Sequence, residues 1–327
     1  MTCSGKGSGL CCGQQRLRQE DAALDERKHM EPAETDYREI LRSFEPKSEF
    51  FIGIDSDGCV FDSMEVKHKE CFCPMFIKAL SLQPVSKFAR EVWEFVNLYS
   101  QSRGSNRFIA ITRALKLLAE RPEVRRRGCK IPSTEALEEW ISRTNPLTPK
   151  ALEEEYQKTH HPDFEPFIIW SVEVNRAVKE IMKGVPLFPY VRESLDAVDG
   201  RADVFIVSQT PTEALEREWK ENEIYQYVRY AAGQEVGKKS EQVRCITEGK
   251  YAPERMLMVG DSPGDLKAIK ANQGLFFPVI PGREEESWKE LAEEGLKRFF
   301  DGTYQGDYED QLIRQFSDCL PENPPWS

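Results

Sequence analysis

The sequence predicts an α/β fold built on a doubly wound parallel sheet, with a block of helices inserted after the first strand. Three observations predict it. Short apolar runs of buried-strand type recur at FFIGI (50–54), ADVFIV (202–207), RMLMVG (255–260) and GLFFPVI (274–280). Helical patterns with charged faces separate the later runs, as in PTEALEREWKENEIYQYV, and strands alternating with helices pack as a parallel sheet. The interval from Asp62 to about Gly184 is too long for one crossover helix.

That interval carries helical spacing, not strand alternation. FAREVWEFVNLYS, RFIAITRALKLLAE, TEALEEWISRT, PKALEEEYQKT and FIIWSVEVNRAVKEIM each place apolar residues three or four apart. The expected organisation is a polar, disordered tail (1–30), an α/β core (31–62 and 185–327) and a helical cap domain (63–184) over the carboxyl edge of the sheet, where open α/β folds bind ligands. In the tail, GKGSGLCCG follows no strand and lacks dinucleotide-loop spacing, and Cys11 with Cys12 cannot complete a zinc site alone.

Bulk composition narrows the partners. With 45 basic and 56 acidic residues the chain carries a formal charge of −11, unsuited to nonspecific binding of nucleic acid or an anionic membrane. No stretch approaches the roughly 18 consecutive apolar residues of a membrane span, and the N-terminus has no apolar signal core. Nine scattered cysteines suggest no disulfide framework, so the expected compartment is the reducing cytoplasm. The sequence leaves the oligomeric state open. An anionic substrate would need a locally positive pocket or a bound cation.

Four short segments carry candidate chemistry. Asp55 and Asp57 follow the first strand two residues apart, a spacing that points both carboxylates one way if the extended path continues. Such a pair can bind a hard cation and divide nucleophilic and acid–base work, although Asp-Gly is also ordinary turn chemistry. Ser208, Gln209 and Thr210 follow the second strand, where a hydroxyl and backbone amides can hold phosphate oxygens or simply cap a helix. GQEVGKKSEQV fails as a nucleotide loop: three residues separate its glycines and a second lysine displaces Ser240. Lys238 or Lys239 can still neutralise phosphate charge. In VGDSPGDL, Asp261 follows a strand and Asp265 opens a helix, a placement that suits Mg²⁺, with helix capping as the plain alternative for Asp265.

In this order and spacing the four segments resemble the signature of haloacid-dehalogenase-like hydrolases. FIGIDSDGCVFDS matches beyond its acids, through Phe61-Asp62-Ser63, and departs at Cys59, where that family most often has Thr. The resemblance covers about 50–62 and 185–282. It implies that Asp55 is the nucleophile and that Asp57 protonates the leaving oxygen and then activates water. Ser208, Gln209 and a lysine, Lys239 favoured over Lys238, would hold phosphate. Mg²⁺ would lie on Asp55, the main-chain carbonyl of Asp57 and Asp261, with Asp265 in support. Family dehalogenases lack an acid at the place of Asp57, so the expected reaction is Mg²⁺-dependent hydrolysis of a small phosphorylated metabolite, a sugar phosphate being one candidate. A phosphomutase shares all four segments, and a non-catalytic binding protein on the same scaffold is a third reading.

Other features read as structural. His68, Cys71 and Cys73 form HxxCxC without an evident fourth metal ligand. His160-His161 lies in a Pro-flanked linker, Arg125-Arg126-Arg127 suits a solvated face, and Trp93, Trp140 and Trp170 suit the cap core. Arg103 and Arg107 flank a glycine turn between two helices, where a cap loop would meet substrate.

Overall fold

In the computed structural model, residues 36–326 are described; the predicted tail, with its glycine segment and Cys11-Cys12, lies outside them. Five parallel strands form one sheet: β1 (Phe51–Ile54), β2 (Asp203–Val207), β3 (Val228–Ala232), β4 (Met256–Gly260) and β5 (Leu275–Pro278), in the order β3-β2-β1-β4-β5. Successive side chains of a strand point to opposite faces, so each strand feeds two cores. Ile52, Ile54, Val204, Ile206, Leu257 and Val259 face helices bearing Val191, Leu195, Leu215 and Trp219. Phe51, Phe205, Val207, Met256 and Met258 face helices bearing Leu41, Val243, Ile246 and Ile269. Both faces are covered, which explains why the central strands read as apolar runs without alternation.

β3 is a correction to the sequence reading. PTEALEREWKENEIYQYV is helical only at Thr212–Glu221, and its end runs through Tyr225–Tyr227 into β3. β3 is an edge strand with exposed Tyr230, so it carries no apolar run.

All five cap segments are helical, at Ser86–Asn97, Arg107–Glu120, Glu135–Arg143, Pro149–Thr159 and Glu165–Ile181. They share a separate apolar core centred on Trp93, Trp140 and Trp170, each at most 1% exposed. The chain enters this block through a short helix, Ser63–Val66, and a π-helical turn, Lys67–Phe72. The chain end leaves the core and packs here: Trp326 meets Phe95 edge-on at 5.4 Å, and Arg121 lies 4.6 Å over the Trp326 ring. Among the described residues no helix is long and apolar enough to cross a membrane.

Candidate active site

The sheet order sets the site. β1 lies between β2 and β4, so the chain leaves β1 in one direction and returns to its other side, opening a crevice at their carboxyl ends. Asp55 follows β1, and its amide donates to the Val259 carbonyl of β4 at 3.0 Å. Asp261 follows β4, and Ser208 follows β2. Three acids from two neighbouring segments meet here: ligand oxygens of Asp55, Asp261 and Asp265 lie within 4.8 Å of one another, the one such metal-capable group among the described residues.

Lys239 threads this cluster. Its Nζ donates to Asp55 Oδ2 at 2.5 Å and to Asp265 Oδ1 at 2.6 Å. Lys238, one residue earlier at the helix N-cap, is exposed. Burial works against the Lys239 ammonium, but Asp265 and Asp55 outweigh it and hold its pKa raised. Burial pushes the Asp55 carboxyl up to about 8 against the pull of Lys239, with Asp265 and Asp261 adding to the rise.

Asp265 is saturated by its own helix start. Its Oδ2 accepts from Ser262 N at 3.0 Å and Ser262 Oγ at 2.7 Å, a capping box at the helix Pro263–Lys270. The capping alternative is therefore met, and the other oxygen is left for Lys239.

Asp57 sits apart from that trio. Its Oδ1 accepts from Ser63 Oγ at 2.5 Å and from Lys67 Nζ, and its Oδ2 accepts from Thr210 Oγ1 at 2.9 Å. Burial alone would raise this carboxyl, but Lys67 and the two hydroxyls lower it to about 2. Lys67 was missed by sequence reasoning. VKHKE offers two equivalent lysines, and the π-helical turn that starts at Lys67 alters the register between them.

Arg103 reaches the site from a turn in the helical block. It is 4% exposed, and its Nε and Nη2 each lie 2.7 Å from Asp261 Oδ2, while Nη1 donates to the Leu98 carbonyl at 3.0 Å. Gly58 makes room for this contact. At φ +74° its missing Cβ would stand 2.7 Å from both Arg103 Nη2 and Asp261 Oδ2. Arg107 stays within the helical block, donating to Ser171 Oγ and Asn175 Oδ1.

The remaining candidates lie at the rim or in the core. Ser208, 2% exposed, accepts from Thr210 N at 3.3 Å, and Gln209 turns outward to the Gly237 carbonyl at 3.0 Å. Cys59 is fully buried; its thiol faces the Val259 carbonyl and burial pushes its pKa well up, so it packs as a small apolar group.

The residues fit a divalent cation. Asp261 Oδ1 is buried with no hydrogen-bond partner, beside carboxylate oxygens of Asp55 and Asp265. Four carboxylates (Asp55, Asp57, Asp261 and Asp265) face three cations (Lys67, Arg103 and Lys239), so a further positive charge would be needed to balance all four in their ionised form. Oxygen donors of this kind suit Mg²⁺.

No family model matches the chain, and no curated protein matches it. Solved structures do. A haloacid-dehalogenase-like family hydrolase from Xanthomonas campestris is similar at 13% identity over 84% of this chain and 97% of its own, with a TM-score of 0.42. A haloacid dehalogenase-like family protein from Streptococcus pneumoniae is similar at 14% identity over 82% and 98%, with a TM-score of 0.40. A HAD-superfamily hydrolase of subfamily IA from Geobacter sulfurreducens shows 15% identity over 72% and 89%, with a TM-score of 0.35. HAD-type hydrolase is their shared description. Similarity at this level carries no argument for function, which rests on the geometry above.

Proposed function

We propose that this protein is a magnesium-dependent phosphatase of the haloacid-dehalogenase-like class, hydrolysing a small phosphate monoester through an aspartyl phosphate on Asp55. The observation that carries the reading is the meeting of Asp55, Lys239, Asp261 and Asp265 at one crevice, with Asp57 held beside it on separate partners. Mg²⁺ on Asp55, the Asp57 carbonyl and Asp261, supported by Asp265, would offset the repulsion between an anionic nucleophile and an anionic phosphate.

The protein's own groups divide the remaining work. Lys239 orients Asp55 and neutralises phosphoryl oxygens, and Ser208 offers a hydroxyl at the neighbouring strand end. An Asp55 oxygen bonds to phosphorus as the P–O bond to the leaving group breaks. The leaving oxygen takes its proton from Asp57, whose carboxyl must first gain one, because Lys67 and the two hydroxyls hold it down at about 2 in the substrate-free fold. Asp57 then accepts a proton from the water that attacks phosphorus and frees Asp55. The acidic composition supports a small metabolite over nucleic acid as substrate. Free thiols at Cys59, Cys71, Cys73, Cys129, Cys245 and Cys319 support a cytoplasmic setting.

A panel of phosphorylated metabolites assayed with Mg²⁺ and with excess chelator tests the reading. Metal-dependent phosphate release from wild type and none from Asp55→Asn is expected; equal release from both would sink it.

A further inference from the structure

The three cations nearest the carboxylates are spent, Lys67 on Asp57, Arg103 on Asp261 and Lys239 on Asp55 and Asp265. Behind them stands one that is not. Arg107 lies with its guanidinium 5.3 Å over the Phe72 ring, and its hydrogen bonds go to the neutral Ser171 at 3.2 Å and Asn175 at 2.9 Å. No carboxylate among the described residues pairs with it. The side chain is half-buried, and burial alone lowers its pKa to about 10, with no counter-charge to hold it up. A half-buried guanidinium bonded only to neutral groups is free to take an anion as its counter-charge.

The second feature shares the same platform. The His68 ring lies 4.9 Å from the Phe72 ring and 6.1 Å from Trp93. Its Nδ1 is buried with no hydrogen-bond partner among the described residues. Burial, then Arg103, Lys67 and Arg107, push the imidazole down to about 3 against the pull of Asp57, so it stays neutral and offers one N–H. A neutral donor and an unpaired guanidinium on one aromatic platform make a receptor for an anion.

Its location says which part of a substrate arrives there. His68 follows Lys67, the residue bonded to Asp57, on the π-helical turn. The charges of Lys67 and Asp57 both act on the His68 ring, which puts the receptor on the side of the acid that meets the leaving group. We infer that Arg107 and His68 bind a second anionic group, a carboxylate or a second phosphate, on the leaving-group side of the substrate. The inference rests on the phosphatase reading for its orientation, and it makes the substrate class a phosphate ester with an anionic tail.

The experiment compares matched pairs on the full-length protein. 3-Phosphoglycerate against glycerol 3-phosphate tests a carboxylate, and fructose 1,6-bisphosphate against fructose 6-phosphate tests a second phosphate. Wild type should prefer the anionic member of at least one pair by about 10- to 100-fold in kcat/KM, the scale of a hydrogen-bonded charge. Arg107→Gln should cut that preference at least tenfold, and His68→Phe, which keeps the ring stack, should cut it in the same pair. No preference in wild type, or full preference in both variants, overturns the inference. A binding arm separates this from failure of the phosphatase reading. With the Asp55→Asn protein and Mg²⁺, the preferred compound should raise the melting temperature more than its neutral-tailed partner. Adding Arg107→Gln should remove the difference. Equal shifts in the Asp55→Asn protein overturn the subsite whether or not any ester is hydrolysed.

Discussion

Arg103, from a turn in the helical block, grips Asp261 at the sheet edge through two nitrogens at 2.7 Å, with both side chains buried. The sequence suggested Arg103 as a substrate contact; in the fold its guanidinium is bonded to Asp261, a carboxylate that the proposed metal would also use.

Arg103→Met should therefore weaken the metal-free protein sharply. Breaking a buried pair by removing one partner typically costs about 3–5 kcal/mol, because the remaining charge is uncompensated. Mg²⁺ should recover part of that loss, so its addition should raise the melting temperature of the variant more than that of wild type. Arg103→Lys should not restore wild-type behaviour, since one ammonium cannot reproduce the two-nitrogen grip. Equal Mg²⁺ shifts in wild type and Arg103→Met would detach Arg103 from the metal site.

Metal binding itself has a simple readout. Millimolar Mg²⁺ should raise the wild-type melting temperature, and excess chelator should reverse it by mass action. Asp261→Asn, which removes the charge of the carboxylate with the unpartnered oxygen, should abolish most of the shift. A full Mg²⁺ response in that variant would place the ion elsewhere.

The two lysines separate cleanly. Lys239→Ala should lower kcat by about 10²- to 10³-fold, the usual effect of losing one group that stabilises transition-state charge. Lys238→Ala, with its exposed side chain, should stay within about twofold. Steady-state kinetics on one good substrate decides, and a crippled Lys238 variant beside a mild Lys239 variant would reverse the assignment.

Glu218 gives a stability test. Burial, with the Asp57 charge adding to it, pushes its pKa up to about 7 in the fold. The unfolded value is about 4.3. The folded state thus holds the proton more tightly, and this group costs stability as pH rises from about 4 through 7. Glu218→Gln should raise the melting temperature more at pH 8 than at pH 5. The same shift at both values would mean that Glu218 is not desolvated as described.

Much of the core was legible because apolar runs ended in acids. Asp55 and Asp261 were found from FFIGI and RMLMVG, whose strands are central and covered on both faces. β3 was not, because an edge strand with an exposed face carries no such run. The sequence favoured Lys239 but permitted Lys238, because the two differ only by the position of a helix start: the first is the N-cap and the second opens the helix Lys239–Thr247. Lys67 and Thr210, the partners that define the state of Asp57, come from a π-helical turn and a loop, where no periodicity announces a side chain's direction.

The central claim is a phosphoryl group carried on Asp55 and released with Asp57 as base, and the Asp57→Asn variant exposes both halves. p-Nitrophenyl phosphate releases a stable phenolate and needs little protonation, so the first half-reaction should persist. A sugar phosphate with a poor leaving alcohol should slow by about 10²- to 10⁴-fold. Rapid mixing with the nitrophenyl ester should then show a burst of nitrophenol followed by slow turnover, and intact-mass measurement of the quenched protein should find one phosphoryl group, mapped to Asp55. Equal slowing of both substrates, with no burst and no phosphorylated Asp55, would contradict the account.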